Sequence, residues 1–108
     1  MVYTQKELSA LVAPVARKYR LPAVYLFGSY ARGTAKDDSD IDLMIDTSGT
    51  DIRSLLQLSA LMLELEAATG KKVDLITTAS FQQKTTRAGT LHFREAVNRE
   101  RRTLYAAS

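Results

Sequence analysis

The sequence predicts a single α/β (α+β) domain over residues 1–108, a small mixed sheet flanked by helices. Three observations carry this. The length of 108 residues suits one domain. Short apolar runs of strand length alternate with longer stretches of helical period. Pro22, Gly28 and Gly70 punctuate the junctions between them.

The elements follow in order as αβ(α)βαβα. Thr4-Gln5-Lys6-Glu7 matches a capping box, and Leu8, Leu11, Val12, Val15 and Tyr19 then make one helical stripe. Pro14 lies inside that stripe and predicts a kink or a break. Arg20-Leu21-Pro22 ends the helix and leads into a buried strand, Ala23-Val24-Tyr25-Leu26-Phe27. Gly28-Ser29 turns the chain into a short helix. Ile41 to Ile45 reads as the second strand and Lys72-Val73-Asp74-Leu75-Ile76 as the third. Between them, Asp51 is expected to cap a helix from Ile52 to about Thr69, with Gly70 as its stop. Leu55, Leu58, Met62 and Leu65 give this helix a core face. Leu56, Leu61 and Leu63 widen it, so the expectation is a deeply packed helix rather than a partner surface. From Ser80 the chain is polar and breaks at Gly89. A helix around Leu91 to Glu100 follows, and Thr103-Leu104-Tyr105 reads as a short edge strand.

Chemistry concentrates at two places. A glycine at a strand-to-helix corner lets the backbone approach a ligand closely, and the first free N–H groups of the next turn suit an anion. At Gly28-Ser29 the serine hydroxyl adds a donor for a phosphate oxygen, and Arg32 brings a positive group. Asp40 and Asp42 are two residues apart at the opening of a strand and project to one face, about 7 Å apart, while Ile41, Leu43 and Ile45 face the core. Such carboxylates suit Mg²⁺, which takes one or two of them together with substrate phosphates. Two such ions about 3.5–4 Å apart stabilise the attacking and leaving oxygens of an in-line displacement. Asp74 is the candidate third carboxylate, a metal ligand that also helps deprotonate an attacking hydroxyl. A calcium loop counted from Asp38 fails, because Leu43 falls where glycine is required and Gly49 where the bidentate glutamate belongs. There is no Walker-type Gly-Lys-Ser/Thr.

Gly28-Ser29-Tyr30-Ala31-Arg32-Gly33-Thr34-Ala35 with Ser39-Asp40-Ile41-Asp42-Leu43-Met44-Ile45 resembles the signature of the DNA polymerase β-type nucleotidyltransferase superfamily. The short length resembles its minimal nucleotidyltransferase (MNT) branch. The resemblance is strong over residues 20–78 and extends to the rest only in general layout. It implies a minimal polymerase β-like fold and two magnesium ions on Asp40, Asp42 and Asp74. The triphosphate would lie at Gly28 and Ser29, with ATP the expected donor. It also implies an antitoxin paired with a HEPN ribonuclease toxin, some relatives acting by adenylylating a tyrosine of that toxin. Two alternatives stand beside this reading: a non-catalytic antitoxin that masks its toxin, and a transferase acting on a small molecule such as an aminoglycoside antibiotic.

Composition bounds the setting. No apolar run reaches membrane-spanning length, the N-terminus is polar, and there is no cysteine, so a cytosolic (cytoplasmic) protein without disulfides is expected. Residues 1–79 carry nine Lys/Arg against ten Asp/Glu, whereas residues 80–108 carry six against two. The basic segment (Lys84, Arg87, Arg94, Arg99, Arg101, Arg102) reads first as a solvated face and second as a surface for an acidic partner or nucleic acid. His92, the sole histidine, has no companion at metal-site spacing.

Overall fold

The computed structural model describes residues 2–78 and 101–107. The elements are α1 (Gln5–Lys18), β1 (Ala23–Phe27), α2 (Gly28–Arg32), β2 (Ile41–Asp46), α3 (Leu55–Thr69), β3 (Val73–Thr77) and β4 (Arg102–Ala106). The break at Gly89, the helix expected over Leu91–Glu100, His92, and the basic residues Lys84, Arg87, Arg94 and Arg99 lie outside the described residues. Among the described residues, no helix is long and apolar enough to cross a membrane.

The strands form a mixed four-stranded sheet in the order β3-β2-β1-β4. β1 runs antiparallel to both β2 and β4, and β2 runs parallel to β3 with α3 as the crossover. A parallel pair needs such a connection, because a tight turn cannot return the chain to the same end. The strand expected at Thr103–Tyr105 is the edge strand β4. Its register shifts beside Val24 and Tyr25, so that Tyr105 and Thr103 find partners and Leu104 is the extra residue. Ser9 of α1 donates its hydroxyl to the Leu104 carbonyl at 2.6 Å, which satisfies the group that the bulge removes from the ladder.

One sheet face is covered. Leu8, Val12 and Ala16 of α1 and Leu61 and Leu65 of α3 bury against Val24, Leu26, Ile41, Leu43, Ile45, Val73 and Leu104. Period-two alternation sends the other strand residues to the opposite face, where Tyr25, Phe27 and Ile76 pack around buried Met44. There Arg101 stacks 4.7 Å from the centroid of the Tyr25 ring.

The expected break at Pro14 and the expected start of the second long helix need correction. α1 continues through Pro14 without a break. The proline cannot donate to the Ala10 carbonyl, but both residues are exposed, so that oxygen is open to solvent. Its Thr4/Glu7 capping box is present as expected.

α3 starts at Leu55, not Ile52, and its cap is Ser54, not Asp51. Ser54 Oγ accepts from the Gln57 N–H at 3.1 Å, and Gln57 Oε1 accepts from the Ser54 N–H at 3.1 Å. We expect Ser54→Ala to lower stability by about 1 kcal/mol, and Asp51→Ala by no more than about 0.5 kcal/mol. Urea-unfolding midpoints of the two variants check this. Gly70 ends the helix in the left-handed conformation, φ 70°, as expected. The core face is Leu58, Leu61, Met62, Leu65 and Thr69, and Leu55 is not part of it. Leu55, Leu56 and Leu63 are 78%, 81% and 61% exposed, so α3 is packed on one side only.

Candidate active site

β1 ends where β2 and β3 begin, and the site residues gather at that end of the sheet on the face away from α1 and α3. In the antiparallel register Phe27 lies opposite Asp42, and in the parallel register Asp42 lies opposite Asp74. The two carboxylates are therefore held side by side by backbone pairing alone. Asp42 is half-buried and Asp74 is exposed.

The start of β3 is fixed by two further bonds. The Ile41 N–H donates to the Lys72 carbonyl at 2.9 Å, and the Val73 N–H donates to Glu66 Oε2 at 3.0 Å. Glu66 is thus a positioning residue for the strand that carries Asp74. Nothing in the sequence distinguishes it from any other acid on a helix surface.

Burial pushes the Asp42 carboxyl up to about 6. The negative charge of Asp74 and a hydrogen bond between the two carboxyls push the same way, as does the charge of Asp40. Arg32 opposes them weakly. A carboxyl held this far above its ordinary range by burial and neighbouring acids marks a candidate functional site.

Among the described residues, no three acidic or histidine side chains form a metal cluster. Asp42 and Asp74 are paired. Asp40 sits exposed, one residue before β2, near enough for its charge to act on Asp42.

Gly28 forms the other wall. Its φ is +73°, a conformation that glycine adopts freely and other residues adopt at a cost. A Cβ placed there would fall on Asp42 Oδ2 and lie 3.0 Å from Asp42 Cγ. The backbone of the turn is thus pressed against the carboxylate, with no room for a side chain between them.

α2 follows at once, with Phe27 as an N-cap that offers the first turn no side-chain hydrogen bond. The Ser29 carbonyl accepts from the Gly33 N–H and from the Thr34 N–H at 2.9 Å, which closes the far side of the turn. Tyr30 is buried in the core and anchors the short helix beneath the site. Ser29 is half-buried and Arg32 exposed on the same turn. Gly28, Ser29, Arg32, Asp42 and Asp74 therefore form one assembly, with Asp40 at its rim.

A mixed sheet whose edge of paired acids abuts a glycine–serine corner defines a nucleotidyltransferase domain. The chain belongs to the polymerase beta nucleotidyltransferase family, whose model matches residues 11–101. The protein adenylyltransferase MntA of Thermococcus cleftensis is 37% identical over 75 residues, which span 69% of this chain and 74% of that one. The fold is also that of a solved toxin–antitoxin bound to AMP-PNP, with a TM-score of 0.69 at 22% identity, over 93% of this chain and 74% of that one. A complex of tri-AMPylated Shewanella oneidensis HEPN toxin with MNT antitoxin gives a TM-score of 0.65 at 22% identity, over 96% of this chain and 74% of that one.

Proposed function

We propose that this chain transfers AMP from ATP onto a hydroxyl of a partner protein, a tyrosine of a HEPN-type toxin, and so acts as an antitoxin in the cytosol. The observation that carries the reading is the Asp42–Asp74 pair pressed against the Gly28 backbone. It sets acidic oxygen ligands beside a turn able to receive phosphate. The relative named protein adenylyltransferase and the fold shared with toxin–antitoxin complexes support the choice of reaction and partner.

The donor set fits magnesium, since Asp42 and Asp74 offer hard oxygen ligands and phosphate oxygens of the nucleotide would supply others. Asp40, Asp42 and Asp74 would hold two ions, with Asp40 drawn in from the rim. When bound, these ions supply charge neutralisation at the reacting phosphate and its leaving group. The chain's own residues do the rest. The Gly28 and Ser29 N–H groups and the Ser29 hydroxyl donate to the triphosphate, and Arg32 adds a positive charge. Asp74 takes the proton of the attacking hydroxyl. The acceptor oxygen forms a bond to the α-phosphorus, the bond from that phosphorus to the bridging oxygen breaks, and pyrophosphate leaves.

The test is mass spectrometry of the partner after incubation with catalytic amounts of this chain and MgATP. We expect additions of about 329 Da per transferred unit on the partner. A partner fully neutralised at equimolar ratio without nucleotide, and unmodified, would make the chain a mask and overturn the transferase reading.

A further inference from the structure

The outer face of α3 is built to receive a helix, and we infer that its occupant is a second copy of α3 packed antiparallel across a two-fold axis. Leu56, Ala60, Leu63 and Ala67 are spaced four, three and four residues apart, and all four are exposed. At 100° per residue they form one stripe, diametrically opposite the core stripe of Leu58, Leu61, Leu65 and Thr69. This is the spacing of a coiled-coil seam with leucine at one position and alanine at the other.

The large–small order is self-complementary. In an antiparallel pair, the Ala60 of one copy lies opposite Leu63 of the other, and Ala67 opposite Leu56. Every leucine then fills the space above an alanine, the arrangement that close helix packing requires. A two-fold interface uses the same patch on both copies, and this stripe satisfies that condition without any other partner. Leu56 and Leu63, at 81% and 61% exposure, supply the apolar area.

Charge agrees with this register. Antiparallel packing brings like flanks together, so Glu64 of one copy faces Gln57 of the other, and Glu66 faces Ser59, each pair offset by about 3 Å along the axis. Each acid therefore meets a neutral hydrogen-bonding side chain, and no acid lies level with another. Both acids are also engaged within their own copy. Lys18 approaches Glu64 Oε1 at 2.6 Å while the Tyr19 hydroxyl donates to its other oxygen, and Glu66 accepts from the Val73 N–H at 3.0 Å. The seam thus closes without bringing uncompensated like charges together. A helix of 15 residues is about 22 Å long. One such pair buries well under the roughly 800 Å² per partner of a standard complex, so the association is weak and reversible.

The test uses the whole chain, which contains no cysteine, so that single-cysteine variants report cleanly. Sedimentation velocity of the unmodified protein should show a weight-average s that rises with concentration. Leu56→Glu and Leu63→Glu should each remove that rise while leaving the melting temperature unchanged, since both side chains already face solvent. Under mild oxidation, Ala60→Cys should form a disulfide-linked dimer at least tenfold faster than Ala67→Cys. In the antiparallel pair the two thiols at position 60 sit about 4.5 Å apart along the axis, and those at position 67 about 16 Å. A protein that stays monomeric throughout, or equal cross-linking at both positions, would overturn the proposal. So would a monomeric chain whose Leu56→Glu variant loses only its binding to a toxin partner, which would assign the face to that partner.

Discussion

Asp42→Asn is expected to abolish nucleotidyl transfer and, in the same molecule, to make the metal-free fold more stable above pH 7. The first effect follows from the site. Asn keeps the size and the strand position of Asp42 but removes the charge that a divalent ion and the reacting phosphate require. Metal stabilisation of a transition state is worth several kcal/mol, so we expect a loss of about a thousandfold or more in transfer rate. The second effect follows from the environment. Asp42 is half-buried beside Asp74 and near Asp40, and its carboxyl titrates at about 6 instead of the ordinary 3.8.

The sign of the pH dependence follows from proton counts. Between about pH 4 and pH 6 the folded chain holds a proton on Asp42 that the unfolded chain has released. Stability from this group is therefore fully present below about pH 4, falls as pH rises through about 6, and stays low above it. An Asn at this position is neutral throughout and escapes the loss. Raising a carboxyl from 3.8 to about 6 corresponds to at most about 3 kcal/mol, and solvent screening at a half-exposed group reduces this to about 1–2 kcal/mol. For a domain of this size the melting temperature of Asp42→Asn should exceed that of the parent by about 5–10 °C near pH 7.5 and by almost nothing near pH 4. Calorimetry in chelator at the two pH values reads both numbers. A variant less stable than the parent at pH 7.5 would show that Asp42 is not electrostatically frustrated. Adding MgATP should stabilise the parent and leave the variant unmoved.

Much of this site was legible because its residues obey the simplest periodicities. β1 is an uninterrupted apolar run, and the chain turns at the first glycine after it, so Ala23–Phe27 and Gly28 could be placed in advance. Ile41, Leu43 and Ile45 alternate with Asp42, which fixed the face of that carboxylate, and Val73 and Leu75 did the same for Asp74. The pairing of Asp42 with Asp74 was less accessible, because it depends on a parallel register set by the length and packing of α3. Asp40 shows the limit of period-two reasoning. The strand begins one residue after it, so nothing in the ladder holds its side chain beside Asp42.

The helix faces were harder to read for a different reason. α3 carries leucine at positions 55, 56, 58, 61, 63 and 65, and so dense a pattern has no clear apolar side. Contacts with α1 and β3 choose Leu61 and Leu65 over Leu55, and no local signal foretells that choice. Similarly, Pro14 breaks a helix only where its neighbours cannot compensate, and its solvent exposure was not visible in the sequence.

Gly28→Ala is expected to damage fold and function together, by a mechanism that a double-mutant cycle can separate. The strain has two sources. A non-glycine residue at φ +73° costs about 1–2 kcal/mol, and the added Cβ collides with the Asp42 carboxylate. Either the carboxylate or the turn must move, so the total loss should reach about 2–4 kcal/mol, and Gly28→Val should lose more because its branched side chain tolerates this conformation still less. Removing the carboxylate relieves only the collision. In an Asp42→Ala background the nearest obstacle is the Cβ of residue 42 itself, at 3.2 Å. The cost of Gly28→Ala should then fall towards the backbone contribution, with a small remainder for this tight contact, giving a coupling of about 1–2 kcal/mol between the two positions. Strict additivity would mean that the glycine is needed for its φ only. ATP binding should follow the same order. Gly28→Ala and Gly28→Val should block the approach of the triphosphate, whereas Ser29→Ala removes one hydroxyl donor worth about 0.5–1.5 kcal/mol, more if it meets a charged oxygen. Titration calorimetry with a nonhydrolysable ATP analogue distinguishes them. If Ser29→Ala abolishes binding while Gly28→Val retains it, the backbone of this corner does not receive the phosphates.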